Sequence, residues 1–296
     1  MRSSPEPLLD PGFEIIEPEG PLTPVVFSSP HSGAVYPADF LAQARLDPLS
    51  LRRSEDAFVD ELFASSTEHG APLIRARFPR AYLDLNREPY ELDPRMFEGR
   101  IPAFANTRSL RVAGGLGTIP RIVGDSQEIY GARLPIADAL RRIERLYKPY
   151  HRALRDLLTR ARRQFGAAIL VDCHSMPSRG SPREDRPRAD IVLGDRYGAS
   201  CAPAVTDVVE TALRELGFAV ARNRPYAGGY ITEHYGTPAA GVHAIQIEVN
   251  RSLYMDEAAH APLDGFAAVA DDMSRVVAAV VAMRPGDLAV AQAAAE

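Results

Sequence analysis

The sequence predicts an α/β fold in which a mainly parallel sheet carries helices on both faces. Three observations point to it. Strand-like and helix-like segments alternate along most of the chain, as they do where helices cross over between parallel strands. AAILVD (167–172) is a near-continuous apolar run, the pattern of a strand covered on both faces. Hydrophobic residues make up 46% of 296, enough for a sizeable core.

The elements follow in order. TPVVFS (23–28) reads as a strand, β-branched and bounded by Ser, Pro and Gly. SEDAFVDELFASSTEHG (54–70) is expected as a helix, with Ser54 as N-cap and Gly70 as its stop. APLIRARF (71–78) and AYLDLN (81–86) read as two short strands around Pro79. Residues 136–165 form a basic helical pattern that Pro149 kinks or divides. After the run at 167–172 come a strand (ADIVLGD, 189–195), a helix (202–217) ended by Gly217, and a strand (FAVARN, 218–223). HAIQIEVN (243–250) is the last strand, and residues 257–283 are mostly helical. Residues 88–126 and 176–188 resist regular structure; the latter hold four arginines and three prolines. Long loops of this kind in a compact domain are often lids. A single domain over 1–296 is expected, with its core from about 22 to 284 and peripheral ends.

Composition excludes several classes. A net charge of −5 with interspersed signs argues against a nucleic-acid surface. No apolar run reaches the length of a membrane span, and the first 20 residues hold prolines and acids where a signal peptide needs an apolar segment. Two cysteines, Cys173 and Cys201, cannot form a disulfide framework in so long a chain. A cytoplasmic protein is expected; nothing indicates its oligomeric state.

Three strand ends carry groups suited to chemistry. VVFSSPHSG delivers His31, AAILVDCHS delivers His174, and HAIQIEVN carries Glu248. Parallel strands would bring these distant positions to one rim, where ligands bind in such sheets. Two imidazoles and one or two carboxylates are the ingredients of a hydrolytic zinc site. Glu55 or Asp56, opening the helix after His31, could complete it; equally, acids in a first turn complement a helix dipole without any metal. His31 alone could be an ordinary turn residue, and His174 an ordinary hydrogen-bonded one. His151 reads as a surface residue of a basic helix. Gln246, Glu248 and Asn250 share one strand face. A carboxylate there belongs either to a buried network or to a general base beside a metal-bound water. Asp84 and Asn86 share another face, and Arg87 follows. An Asn–Arg pair can hold a substrate carboxylate; the alternative is that Arg87 pairs with a nearby acid.

Six motifs occur in one order: SPHSG, EDAFVDELF, YLDLNREP, VDCHSMPS, PYAGGYITEHYG and IQIEVNRSLYMDE. Together they resemble the N-formylglutamate amidohydrolase family over about residues 25–257. The resemblance implies a three-layer αβα fold with a mixed, mainly parallel sheet like that of the zinc exopeptidases. It implies one zinc ion on His31, Asp56 and His174, with Asp56 better placed than Glu55 against the family's D-x-x-V-D spacing. It implies Glu248 as the catalytic glutamate and Asn86 and Arg87 as holders of a substrate carboxylate, aided by arginines around Arg179. Asp172 would orient a ligand from behind. The implied substrate is N-formyl-L-glutamate, split to formate and L-glutamate in histidine degradation. Another N-acyl amino acid or peptide, or a non-catalytic acidic amino acid binding protein, are the competing readings.

Overall fold

A computed structural model describes residues 9–178 and 189–288. The polypeptide groups into two compact units. One comprises Met1–Glu14, Pro30–Ala57 and Arg75–Ala153; the other comprises Ile15–Ser29, Phe58–Ile74 and Leu154–Glu296. Each is assembled from three separated stretches, so neither is a segment that a cut at one linker would release.

The seven strands of the main sheet are β1 (Phe13–Ile16), β2 (Val25–Ser29), β3 (Leu73–Ala76), β4 (Ala168–Met176), β5 (Ile191–Gly194), β6 (Val220–Arg222) and β7 (Val242–Asn250). Their spatial order is β1-β3-β2-β4-β7-β5-β6. The pairs β2–β4, β4–β7 and β5–β6 are parallel, and β5 runs antiparallel to β7. The sheet is therefore mixed and mainly parallel. Every residue of β4 is buried, as is every residue of β7 after Val242. Such burial on alternate sides requires cover on both faces.

Register decides what the sheet presents. Ser28 pairs with Asp172, Asp172 with Gln246, and His174 with Glu248. Paired residues of parallel strands point the same way, and positions two apart share a face. One face thus carries Ser28, Asp172, His174, Gln246 and Glu248, while Val171, Cys173, Ile245 and Ile247 form the apolar opposite face.

The helices include α1 (Val59–Leu62), α2 (Ile136–Arg142), α3 (Lys148–Phe165), α4 (Pro203–Glu215), α5 (Tyr230–Tyr235) and α6 (Phe266–Val281). In the second unit α6 packs on α4 and α1, and α5 packs on β7 and β4. In the first unit, Arg142 is buried; its guanidinium lies 3.9 Å from the Tyr82 ring centre and donates to the Tyr130 hydroxyl at 2.8 Å. A charge there is tolerable because ring faces and oxygens replace its water.

Four expectations change. The helix over 54–70 shrinks to α1 and a 3₁₀ turn at Ala64–Ser66. Phe58 adopts φ 64°, which a right-handed helix cannot contain. Glu55 and Asp56 therefore precede the helix, and a helix dipole does not explain them. AYLDLN forms turns rather than a strand, because the Asp84 carboxylate takes the Asn86 amide at 2.9 Å in place of a neighbouring strand. His151 is buried, with Nε2 donating to the Leu85 carbonyl at 2.9 Å. Finally, a π-helical turn at Ile143–Tyr147 joins α2 to α3. Pro149 follows that turn inside one continuous helix, so the bond its missing N–H cannot make falls on the π-turn, where the ladder is already displaced.

Gly70 has φ +83°, and a Cβ there would lie 2.3 Å from the Pro21 carbonyl oxygen. Gly70→Ala should destabilise the fold by about 1–3 kcal/mol, and each kcal/mol lowers Tm by about 2–4 °C in a chain of this size class. A thermal melt checks this; an unchanged Tm would contradict it.

Candidate metal centre

Two residues past the end of β2, Pro30 and then His31 leave the strand. His31 is 1% exposed, and its carbonyl accepts the Asp56 amide at 3.1 Å. Each ring nitrogen faces a carboxylate: Nε2 lies 2.8 Å from Asp84 Oδ1 and Nδ1 lies 3.2 Å from Asp56 Oδ2. Burial alone would raise the Asp84 carboxyl, but Arg80, Arg87 and His31 hold it well below the ordinary carboxylate range. Arg80 donates to its second oxygen at 2.8 Å. Asp84 is therefore an acceptor only, and Nε2 of His31 is the N–H that it receives.

In the neutral ring the lone pair is then on Nδ1, 3.2 Å from a carboxylate oxygen. Two lone pairs at that separation need a cation or a proton between or beside them. The neighbouring acid is differently engaged. Glu55, 1% exposed, accepts two bonds from Arg52 Nε at 3.2 and 3.1 Å and one from the Tyr36 hydroxyl. Burial first, then the Glu55 charge, pushes the Tyr36 phenol up, so it remains a donor to Glu55.

The second unit repeats the His31 arrangement on β4. His174 Nε2 lies 2.9 Å from Asp172 Oδ2, and the other Asp172 oxygen accepts the Ser28 hydroxyl at 3.3 Å. Both sit on the polar sheet face, two residues apart. On the adjoining strand Gln246 Nε2 donates to Glu248 Oε1 at 2.7 Å. The Gln246 oxygen in turn accepts the Gly229 amide at 2.7 Å. Glu248 is 7% exposed, so its carboxylate is buried and held from one side by an amide.

One ligand atom from each of His31, Asp56 and His174 can be chosen so that all three lie within 4.8 Å of one another. Two imidazole nitrogens and one carboxylate oxygen, all buried, form a group that could hold a metal ion. The donor chemistry fits: each histidine has its Nε2 on a buried aspartate, the outer-shell bond that fixes ring orientation in metal sites.

Asn86 is buried. Arg87 donates Nε to the Leu116 carbonyl and Nη1 to the Asn86 carbonyl, both at 2.8 Å, and its Nη2 lies 3.6 Å from Asp84. Burial pulls the Arg87 guanidinium down from its ordinary value, and Asp84 opposes that. Arg179 lies outside the described residues. Sequence reasoning missed Asp84 as the partner of His31 and Gln246 as the partner of Glu248. The signal for Gln246 was its place two residues from Glu248 on one face. Asp84 had none, because 53 residues separate it from His31.

Comparison with known proteins adds the context. A family model described as N-formylglutamate amidohydrolase matches residues 23–255. N-formylglutamate deformylases of Pseudomonas putida and Pseudomonas aeruginosa are each 29% identical, over 79% and 80% of this chain and 82% and 84% of theirs. The crystal structure of N-formylglutamate amidohydrolase from Ralstonia eutropha is 39% identical with a TM-score of 0.85, covering 91% of this chain and 97% of that one. The Agrobacterium tumefaciens gene product Atu2144 shares the fold at 18% identity and a TM-score of 0.65, over 91% of this chain and 94% of its own.

Removing the charge behind His31 should loosen the metal group without removing a ligand. Asp84→Asn is expected to weaken zinc affinity by about 10–100-fold, read by competition with a chromophoric chelator. Unchanged affinity would separate Asp84 from the metal centre.

Proposed function

The chain belongs to the N-formylglutamate amidohydrolase family, and we propose that it hydrolyses N-formyl-L-glutamate to formate and L-glutamate with one zinc ion. The observation that carries the reading is the register of β4 and β7, which puts Glu248 beside His174 on a polar sheet face. Two nitrogens and one carboxylate oxygen suit zinc and leave room for substrate. A zinc ion on His31, Asp56 and His174 would supply Lewis-acid polarisation of the formyl carbonyl and of the attacking water.

The chain's own residues do the rest. Asp84 and Asp172 hold the two imidazoles with Nε2 protonated, so that Nδ1 of each presents a lone pair. Glu248, steadied by Gln246, takes a proton from the water whose oxygen attacks the formyl carbon. It then hands that proton to the amide nitrogen as the C–N bond breaks, which releases the amine of glutamate. Asn86 and Arg87 bind a substrate carboxylate. The Leu116 and Asn86 carbonyls fix the guanidinium plane, and a bound carboxylate would offset the burial of its charge. Arg179 is proposed to assist at the second carboxylate.

A cytoplasmic location accords with two buried free cysteines, Cys173 and Cys201. No described helix is long and apolar enough to cross a membrane.

The purified zinc-loaded protein should turn over N-formyl-L-glutamate faster than N-acetyl-L-glutamate or formylglycine. Equal rates on all three would remove the substrate assignment. Glu248→Gln should retain the metal and lower kcat by about 10²–10⁴-fold. Full activity in that variant would refute the role of Glu248.

A further inference from the structure

Helix α3 carries Arg155, Thr159 and Arg162 at spacings of four and three, one stripe of the helix, with Arg163 beside it. This stripe, with His234 of α5 and Thr237 beyond it, lines a cavity of about 640 Å³. All of these residues belong to the second unit. Val242, the first residue of β7, also lines the cavity. Glu248 lies six residues further along the strand, roughly 20 Å away at strand rise. The cavity therefore sits at the opposite strand end from the metal residues and takes no part in the chemistry above.

The three arginines are not neutralised by their neighbours. Among the described residues no acid lies within ion-pair distance of Arg155, Arg162 or Arg163. Arg160 on the same helix, by contrast, forms a two-point pair with Glu17 at 2.8 and 2.7 Å. Arg162 and Arg163 stand in the last turn of α3, where positive charge complements the helix dipole. Arg155 is two turns earlier and has no such reason. Across the cavity His234 is held below its ordinary pKa, by burial first and then by the Arg155 charge. Three like charges gathered at a concave surface repel one another unless an anion joins them.

We infer that this cavity is a binding site for a small phosphate-bearing metabolite, held by Arg155, Arg162 and Arg163. Guanidinium forks match the paired oxygens of a phosphate. The hydroxyl of Thr159 adds a donor suited to the remaining oxygen. The volume exceeds that of a bare ion and falls in the range of small-molecule sites, which leaves space for the organic part of a phosphomonoester.

The zinc-loaded protein is titrated with inorganic phosphate at constant ionic strength while NMR follows the His234 imidazole and the Gly166 and Thr237 amides. A saturable single-site shift is expected. The Arg155→Ala/Arg162→Ala double variant should weaken binding by at least about tenfold, since charge-assisted hydrogen bonds are lost. Arg160→Ala should leave it unchanged. Both variants alter exposed side chains, and a thermal melt confirms that they fold. AMP binding more tightly than phosphate supports a phosphomonoester ligand, and AMP binding no more tightly overturns that part of the inference. The site itself is overturned if no saturable shift occurs, if chloride or citrate binds as tightly, or if the double variant binds like the parent.

Discussion

Two hydrogen bonds, Asp84 to His31 and Asp172 to His174, set the chemistry of the polar groups around them. A carboxylate that can only accept forces the proton of the facing imidazole onto Nε2. The lone pair of each ring is then on Nδ1, and the ring cannot turn without abandoning a buried charge. His31 and His174 would be two unremarkable buried histidines without those partners. With them, each becomes a fixed donor of an electron pair, and Asp56 adds an anionic oxygen within 4.8 Å. A cation could join such a group, because electron-rich atoms held close together where water does not screen them repel one another.

Holding the Asp84 carboxylate ionised requires compensation elsewhere. Asp84 is buried, and isolated burial would neutralise it. Arg80 and Arg87 counter that, so the arginine proposed to hold a substrate carboxylate also helps to set the proton on His31. The same economy appears at Glu55, where Arg52 and Tyr36 occupy the carboxylate and leave Asp56 to face His31. On the sheet, Gln246 bridges the Gly229 amide and Glu248. The turn before α5 thereby steadies the residue proposed as general base.

Much of this frame is legible in the sequence, for physical reasons. The strands over 168–176 and 242–250 announce themselves because complete burial demands apolar runs. The alternation of Gln246, Glu248 and Asn250 against Ile245, Ile247 and Val249 marks a polar face directly. Between 54 and 86 the strand at 71–78 is present as β3, but the helix over 54–70 and the strand over 81–86 read wrongly. There Phe58 takes a left-handed conformation that no periodicity reports. Asp84 bonds the backbone two residues on, so an apparent strand becomes a turn. The choice between Glu55 and Asp56 turns on Tyr36 and Arg52, contacts that adjacent sequence cannot rank. The arginine-flanked cavity was invisible for a related reason: α3 reads as a generally basic helix until His234 and Thr237 are seen across from it.

The proposed chemistry turns on which nitrogens a bound zinc ion would meet. Anomalous diffraction at the zinc edge from crystals of the zinc-loaded protein tests this most directly. It should place one ion about 2.0–2.2 Å from Nδ1 of His31, Nδ1 of His174 and a carboxylate oxygen of Asp56, with both Nε2 atoms still on their aspartates. An ion bound through Nε2 of either histidine, or an ion that leaves His31 and His174 uncoordinated, would contradict it.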